Sequence, residues 1–315
     1  MKWNIMVSAP YMQPHIERLR PLFTAHDAEI ILPPVRERME EAQLLDWVGE
    51  IDGTICGDDR FTARVLDAAP RLKVIHKWGT GIDSIDQVAC HARGVRVLNT
   101  PNAFSEPVAD SVYGYMLAFA RNIPFMDRHM KRHQWEKING RALNESTLGV
   151  IGVGNVGKAV IRRALGFGLR VVATDIAPID PSFVAQYGVE LTTLEEVLRQ
   201  SDFVTVHCDL NPTSHHLMSD AQFALMPKHA VLINTARGPV VDEPALVRAL
   251  QSGQLAGAGL DVFEDEPLPH TSPLLGMEQV LLAPHNSNSS PKAWEHVHQN
   301  SIRQLFDALE KGSPK

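Results

Sequence analysis

Cysteine is scarce in this 315-residue chain: Cys56, Cys90 and Cys208 are an odd number, and no two are spaced as CxxC. That speaks against a disulfide framework and against a zinc knuckle, and makes a reducing cytoplasm the expected compartment. Long apolar runs are missing too. No stretch approaches the roughly 18 consecutive apolar residues a membrane span needs. The opening MKWNIMVSAP has one lysine and no apolar core of a secretory signal. Positive charge is in deficit, with 30 Lys and Arg against 37 Asp and Glu and a formal net charge of −7. A nucleic-acid or anionic-membrane partner would ordinarily meet a basic face, so neither is expected. Fixed-period repeats and low-complexity linkers are also lacking. What is present is ordinary globular material, 44% hydrophobic and 21% charged, in a length that suits two domains better than one.

Short β-rich apolar runs alternate with helical patterns along the whole chain, the pattern of an α/β fold on parallel sheets. The first third predicts strands at Trp3–Ser8, Glu29–Leu32, Gly53–Cys56, Lys73–Lys77 and Val95–Leu98. Helices are expected near Met12–His26, Met39–Val48, Thr62–Ala69 and Ser84–Arg93, with Thr62 and Ser84 as N-caps. That is a small doubly wound unit. Ser105-Glu106-Pro107 then signals a helix start, and the helix Val108–Arg121 is apolar on nearly every face, so it belongs in a core or an interface. A basic helix, Phe125–Trp135, follows. A second βα series has strands at Leu148–Val153, Arg170–Asp175, Phe203–His207, Ala230–Asn234, Ala258–Val262 and Val280–Ala283. Helices at Thr193–Gln200, Ser219–Met226 and Asp242–Ser252 fill gaps between them, the last closed by Gly253. The tail from Ser290 to Glu310 reads as one amphipathic helix that must bury Val297, Ile302, Leu305, Phe306 and Leu309. It is expected to cross back to the first unit. Residues 1–100 with 288–315 would then form a discontinuous substrate (catalytic) domain of flavodoxin-like type, and 101–287 a Rossmann dinucleotide-binding domain.

Gly152-Val153-Gly154-Asn155-Val156-Gly157 fits GxGxxG in the right setting: after the strand LGVIGV, at the opening of a helix, with Asp175 18 positions beyond Gly157. The glycines provide a tight turn, close approach to a pyrophosphate and close helix–strand packing. The helix N-terminus offers unpaired N–H groups to the anion. Asp175 would accept from the adenosine ribose hydroxyls and repel a 2′-phosphate. Ile176-Ala177-Pro178 supply no arginine to bind one, so NAD is favoured over NADP.

The ends of the later strands are where an open α/β sheet places its ligands. They read Asn234-Thr235-Ala236-Arg237-Gly238, then Leu260-Asp261 through Glu266-Pro267, then Ala283-Pro284-His285-Asn286. Reduction of a 2-keto acid needs a fixed cation for the carboxylate and ketone oxygen, which Arg237 offers as a bidentate fork. It needs a proton donor as hydride reaches C2, the task of His285. Glu266 beside His285 would favour and orient the imidazolium. In the opposite direction His285 is the base. No metal site is expected: His129 and His133 are spaced i, i+4 without a third ligand, and His215-His216 reads as a solvated loop.

Together these segments resemble the D-isomer-specific 2-hydroxyacid dehydrogenase family, the group of D-3-phosphoglycerate dehydrogenase and the glycerate/hydroxypyruvate reductases. The resemblance runs from APRLKVIHKWGTGIDSID (Ala69–Asp86) and RGVRVLNTPN (Arg93–Asn102) through LGVIGVGNVG (Leu148–Gly157). It continues in NTARGPVVDEPALVRAL (Asn234–Leu250), GLDVFEDEP (Gly259–Pro267) and APHNS (Ala283–Ser287). It implies an NAD-dependent oxidoreductase with Arg237, Glu266 and His285 as its catalytic set. Implied cofactor contacts, besides the glycine loop and Asp175, are Thr80, Asn155, Val156, Cys208, Thr235, Ala236, Arg237, Asp261 and the loop holding His285 and Ser287. Asp261 would hold the nicotinamide carboxamide. The resemblance also implies a homodimer built on the cofactor domain. Cys56, Gly57, Trp78 and Gly79, with Arg237, are the residues expected at the substrate.

Departures from the family pattern bear on the substrate. Glu266 argues against a formate dehydrogenase, which has Gln there. Phosphoglycerate dehydrogenases usually carry Arg-Ser where this chain has Cys56-Gly57; Arg60 could serve a phosphate instead or be a solvated loop arginine. A chain ending at Lys315 is expected to lack a C-terminal regulatory domain. Asp209 stands where the family often has Pro. A second class stays open as well, an NAD(H)-sensing interaction protein of the corepressor type, which retains the same Arg, Glu and His.

Overall fold

The structure is a computed structural model and describes residues 3–311. It divides into two compact units, one taking in the chain up to Phe104 together with the segment from Ser290 onward, the other Ser105–Ser289. Each is an α/β sandwich on its own parallel sheet, as the alternating pattern predicts.

In the first unit β1 (Trp3–Val7), β2 (Ala28–Ile31), β3 (Gly53–Cys56), β4 (Val74–Lys77) and β5 (Arg96–Leu98) form a five-stranded sheet in the order β2-β1-β3-β4-β5. That is the flavodoxin-type arrangement, with β1 and β3 side by side at the point where the winding reverses. Strands β3 and β4 are buried at every position, the state of a central parallel strand covered on both faces. The first helices are shorter than their sequence patterns: Ile16–Thr24 stands behind a turn of 3₁₀ helix, and Glu41–Leu45 is a turn and a half. Thr62 caps helix Ala63–Asp67 by accepting from the Val65 N–H at 3.4 Å. The next helix, Gln87–Ala92, is capped not by Ser84 but by Asp86, whose carboxylate accepts from the Ala89 N–H at 2.8 Å. A carboxylate at the positive end of a helix outcompetes a hydroxyl. Ser290 caps the helix Pro291–Glu310, which buries Val297, Ile302, Leu305, Phe306 and Leu309 and packs on β3 and β4.

The second unit has seven strands: β6 (Thr147–Ile151), β7 (Arg170–Thr174), β8 (Glu190–Leu191), β9 (Phe203–Val206), β10 (Val231–Asn234), β11 (Gly257–Leu260) and β12 (Val280–Leu282). Their order, β12-β11-β10-β9-β6-β7-β8, is the Rossmann order with one strand added beside β11. The two-residue β8 and the helix Pro181–Tyr187 before it escape the sequence pattern, because an exposed edge pair is too short to show alternation. Alternation divides the longer strands between two cores. Leu148, Val150, Val171, Ala173, Val231 and Ile233 face one, and Ile151, Val172, Val204, Val206 and Leu232 face the other. The apolar helix, Ser105–Ala120, lies in the first of these cores through Ala109, Val112, Tyr113 and Met116. Among the described residues no helix is long and apolar enough to cross a membrane.

Candidate active site

The sharp turn after β6 is built from backbone. Gly152 has φ +92°, and a Cβ there would lie 2.8 Å from the Cys208 nitrogen and from the His207 carbonyl carbon. A Cβ on Gly157 would stand 2.1 Å from the Gly152 oxygen, so only glycine lets helix Asn155–Phe167 start this close to the strand. Gly154 is the N-cap and offers no side chain to the N–H groups of the first turn, leaving Asn155 and Val156 at the mouth of that turn. Asp175, just past β7, accepts from the Val153 N–H at 2.6 Å and from the Ala177 N–H at 2.8 Å. It therefore braces the glycine loop as well as presenting a carboxylate beside it. Ile176 is 90% exposed next to it.

The far side of the sheet gathers the titratable groups. Asn234, at the end of β10, accepts from the Ala236 N–H at 3.0 Å and donates to the Arg237 carbonyl at 2.8 Å, closing the turn that carries Arg237. The guanidinium Nη1 donates to the Ala236 carbonyl at 2.9 Å. Glu266 accepts from the Phe263 N–H at 2.9 Å through one oxygen and meets His285 Nδ1 at 2.9 Å through the other. His285 has φ +49°, a left-handed conformation costly for a residue with a side chain. Asp261 holds it there: its backbone carbonyl accepts from the His285 N–H at 2.7 Å, and its two carboxylate oxygens accept from the Asn286 and Ser287 N–H groups, both at 2.8 Å. Sequence reasoning assigns Asp261 to a ligand and misses this clamp. The only signal is an acid ending one strand opposite a loop that starts from the next.

Several expected cofactor residues thus gather in one unit: the glycine loop, Asp175, the Cys208 backbone, Thr235-Ala236-Arg237, Asp261, His285 and Ser287. Thr235 keeps a buried Oγ1 with no hydrogen-bond partner, and burial pushes the Cys208 thiol up to about 11. A backbone cradle that a Cβ would fill, an acid at its rim and an orphaned buried hydroxyl together fit a dinucleotide. Thr80 lies in the other unit, where its hydroxyl donates to the Thr100 carbonyl at 3.2 Å.

The residues expected at the substrate cap the strands of the first unit. Cys56 ends β3 and is fully buried; burial, reinforced by Asp59, drives its thiol far up. Gly57 follows against Pro10, and Gly79 has φ +125° beside Phe104. Trp78 follows β4, is 3% exposed, and donates its indole N–H to His298 Nδ1 at 2.9 Å. Tyr11, Trp294 and Phe104 surround it with ring centroids 5.4, 5.8 and 5.7 Å away. In the same unit Ser8 donates to Asp59 at 2.5 Å, Asp59 also accepts from the Met39 N–H at 2.7 Å, and Lys77 pairs with Asp58 at 2.9 Å. Arg60 faces Glu40 at 4.0 Å. Asp209 is exposed and its carbonyl accepts from Ser214 at 2.6 Å; nothing in the structure explains an acid there. His129 approaches Glu136 at 3.6 Å. Among the described residues no group of three or more His, Cys, Asp or Glu converges as a metal site.

Comparison with known proteins matches residues 113–287 to the model of the D-isomer specific 2-hydroxyacid dehydrogenase NAD binding domain. The chain is 40% identical over 260 residues to a glyoxylate reductase of Korarchaeum cryptofilum, covering 81% of this chain and 78% of that one. It is 39% identical to a D-3-phosphoglycerate dehydrogenase of Methanocaldococcus jannaschii, with 81% of this chain but only 49% of that longer protein covered. Among solved structures, D-lactate dehydrogenase of Aquifex aeolicus complexed with NAD and lactic acid superposes with a TM-score of 0.88 at 27% identity. That match covers 98% of this chain and 96% of the other.

Proposed function

The chain belongs to the D-isomer specific 2-hydroxyacid dehydrogenase family, and on that premise we propose that it reduces a small, unphosphorylated 2-keto acid of the glyoxylate or hydroxypyruvate kind to the D-2-hydroxy acid with NADH. The observation that carries this reading is the Glu266–His285 pair at 2.9 Å, on the same rim of the sheet as the Arg237 turn. The nicotinamide, when bound, supplies the hydride to C2 or takes it back. Arg237 binds the carboxylate and ketone oxygen of the acid with its planar fork. His285, with Nδ1 turned to Glu266, uses Nε2 to give its proton to the carbonyl oxygen as that oxygen gains charge, and to remove the hydroxyl proton in the reverse direction. Glu266 stabilises the imidazolium before transfer and fixes the ring, and Asp261 fixes the backbone that carries it. Asp175 selects NAD, since a second negative group beside it would be repelled.

Against a phosphorylated substrate stands the pairing of the cations around the carboxyl ends of β3 and β4. Lys77, the last residue of β4, pairs with Asp58 at 2.9 Å, Arg60 shares Glu40 with Arg38, and Cys56-Gly57 bring no charge. In the same reading the protein is cytoplasmic and a homodimer through the second unit, where Ile123, Met130 and Trp135 are exposed, Trp135 at 82%.

An NADH-oxidation screen over glyoxylate, hydroxypyruvate, phosphohydroxypyruvate and branched 2-keto acids, run beside NADPH, tests the proposal. Glyoxylate or hydroxypyruvate with NADH is the expected pair. Removing a general acid–base group costs about 10²–10⁴-fold in rate, so Arg237→Ala and His285→Ala should each lower kcat by roughly 10³-fold while leaving NADH binding largely intact. Full activity in both variants sinks the mechanism. A preference for NADPH overturns the role of Asp175. Absence of turnover on every acid, with NADH altering the binding of another protein, would instead identify a sensing protein of the corepressor type.

A further inference from the structure

The segment Phe263–Pro267 carries two carboxylate–histidine pairs. Glu266 meets His285, and Glu264, two residues earlier, meets His216, with Nε2 and Oε1 2.5 Å apart. From sequence His216 is a solvated loop residue. In the structure its side chain is 39% exposed, its ring is stacked on His215 at 4.0 Å, and its backbone is left-handed at φ +50°. We propose that His216 and Glu264 are a positioning pair for the proton-transfer dyad, a role that rests on the reading of Arg237, Glu266 and His285 given above.

The argument is one of connectivity. His216 belongs to the segment after β9, and its N–H donates to the Pro239 carbonyl at 2.8 Å, in the turn Gly238–Val240 that directly follows Arg237. Two residues on, the Met218 N–H donates to the Val240 carbonyl at 3.1 Å. The ring of His216 then reaches across to Glu264. One residue therefore ties the Arg237 turn, by backbone, to the Glu266 segment, by side chain. These two segments are already in van der Waals collapse: a Cβ on Gly238 would fall 1.8 Å from the Phe263 oxygen. A left-handed histidine is strained and persists only where its surroundings impose it; here the imposed contact is the one that reaches Glu264. Glu264 needs a partner of this sort. Its own N–H points to the Glu243 carboxylate at 3.4 Å, and Asp265 follows it, so three acids share the corner. Burial, with the Glu264 and Asp265 charges added, holds the Glu243 carboxyl above its usual range. Without an imidazole on Glu264 that corner would spread, and Glu266, two residues away, would drift from His285.

His216→Gln and Glu264→Gln test this. Misplacing a catalytic group by about 1 Å from a distance costs up to roughly 10²-fold; loosening it should lower kcat about tenfold in each variant. The solvent deuterium isotope effect on kcat should rise as proton transfer slows, the KM for NADH should stay within about twofold, and the double variant should be no slower than either single one. Should His216→Gln fail to fold, the near-isosteric Glu264→Gln carries the test alone. Unchanged kcat and isotope effect, beside an inactive His285→Ala, overturn the positioning role and leave the family mechanism standing. An equal loss of kcat and NADH affinity makes the pair merely structural and also overturns it. Activity in His285→Ala removes the reading beneath both.

Discussion

The two units end their strands in different materials. In the second, the carboxyl ends of β6, β10 and β11 are finished with backbone packed to contact distance and with carboxylate–imidazole pairs at the rim, Glu264–His216 and Glu266–His285. In the first, the ends of β1, β3 and β4 are filled by side chains: the Trp78 cluster, and the pairs Ser8–Asp59 and Lys77–Asp58. Both are doubly wound parallel sheets, and such sheets bind ligands at these ends. The contrast teaches two ways to finish a sheet: a cradle of N–H groups suits a phosphate that every dinucleotide carries, whereas packed side chains, on the function proposed above, would fit the shape of one particular small acid.

The largest break in that contrast is a methyl group. Gly157→Ala places its Cβ 2.1 Å from the Gly152 oxygen, where only backbone could move. Overpacking a tight site costs about 1–3 kcal/mol, occasionally more; here the upper end and loss of NADH binding are expected. Gly57→Ala, the counterpart in the first unit, meets the Pro10 ring at 3.0 Å and should be felt far less. Thermal unfolding and NADH fluorescence titration measure both. Equal tolerance at the two positions would mean that the second unit's cradle is not fixed by its backbone.

How much of this could be read from the chain follows the range of the interactions. Strands buried on both faces, the Thr62 and Ser290 caps, the Gly253 stop at φ +71° and the glycine loop are local patterns, and the sequence displays them. The Asp86 cap was hidden because Ser84, two residues earlier, is an equally good candidate by type. Contacts between distant residues leave no local trace. The Trp78 indole meets His298 across 220 positions, Asp59 meets Ser8 across 51, and His216 meets Glu264 across 48. Arg237 and His285, proposed for catalysis, were legible because each sits three residues beyond a strand, and Glu266 because it lies in the loop that follows one; the groups that hold them were not.

The buried titratable groups of the first unit give the next effect. Burial holds His76 and His298 down at about 4, His15 adding to the shift of His298, while burial lifts Asp59 to about 6. Both histidines are depressed below the unfolded value of 6.5. The unfolded chain therefore binds protons that the folded one refuses, and stability rises with pH between about 4 and 6.5. Asp59 works the other way: its folded form keeps a proton that the unfolded chain, at 3.8, releases, so stability falls as pH rises toward about 6. With each pKa unit worth about 1.4 kcal/mol, two histidines against one aspartate leave a net gain on the order of 4 kcal/mol across that window. In urea unfolding at pH 4.5 and 6.5, His298→Gln should flatten the slope and Asp59→Asn should steepen it. The same slope in all three proteins would place the pH dependence elsewhere.

The smallest effect separates the two things Trp78 can do. Trp78→Phe keeps a ring among Tyr11, Trp294 and Phe104 but leaves His298 Nδ1 without its donor. A buried acceptor stripped of its partner costs about 1–3 kcal/mol, and a drop of about 1–2 kcal/mol is expected because an aromatic ring still fills most of the site. If the indole serves only to close the top of the sheet, the ratio of kcat/KM between glyoxylate and a branched 2-keto acid stays as it was. If it also limits the size of the acid's side chain, that ratio shifts toward the larger acid by up to roughly tenfold, the low end of what one methylene decides in a pocket. We expect the shift, since Trp78 directly follows β4 at the carboxyl end of the sheet, where open α/β sheets bind their ligands. An unchanged ratio at reduced stability would make the side-chain filling of the first unit a matter of folding alone.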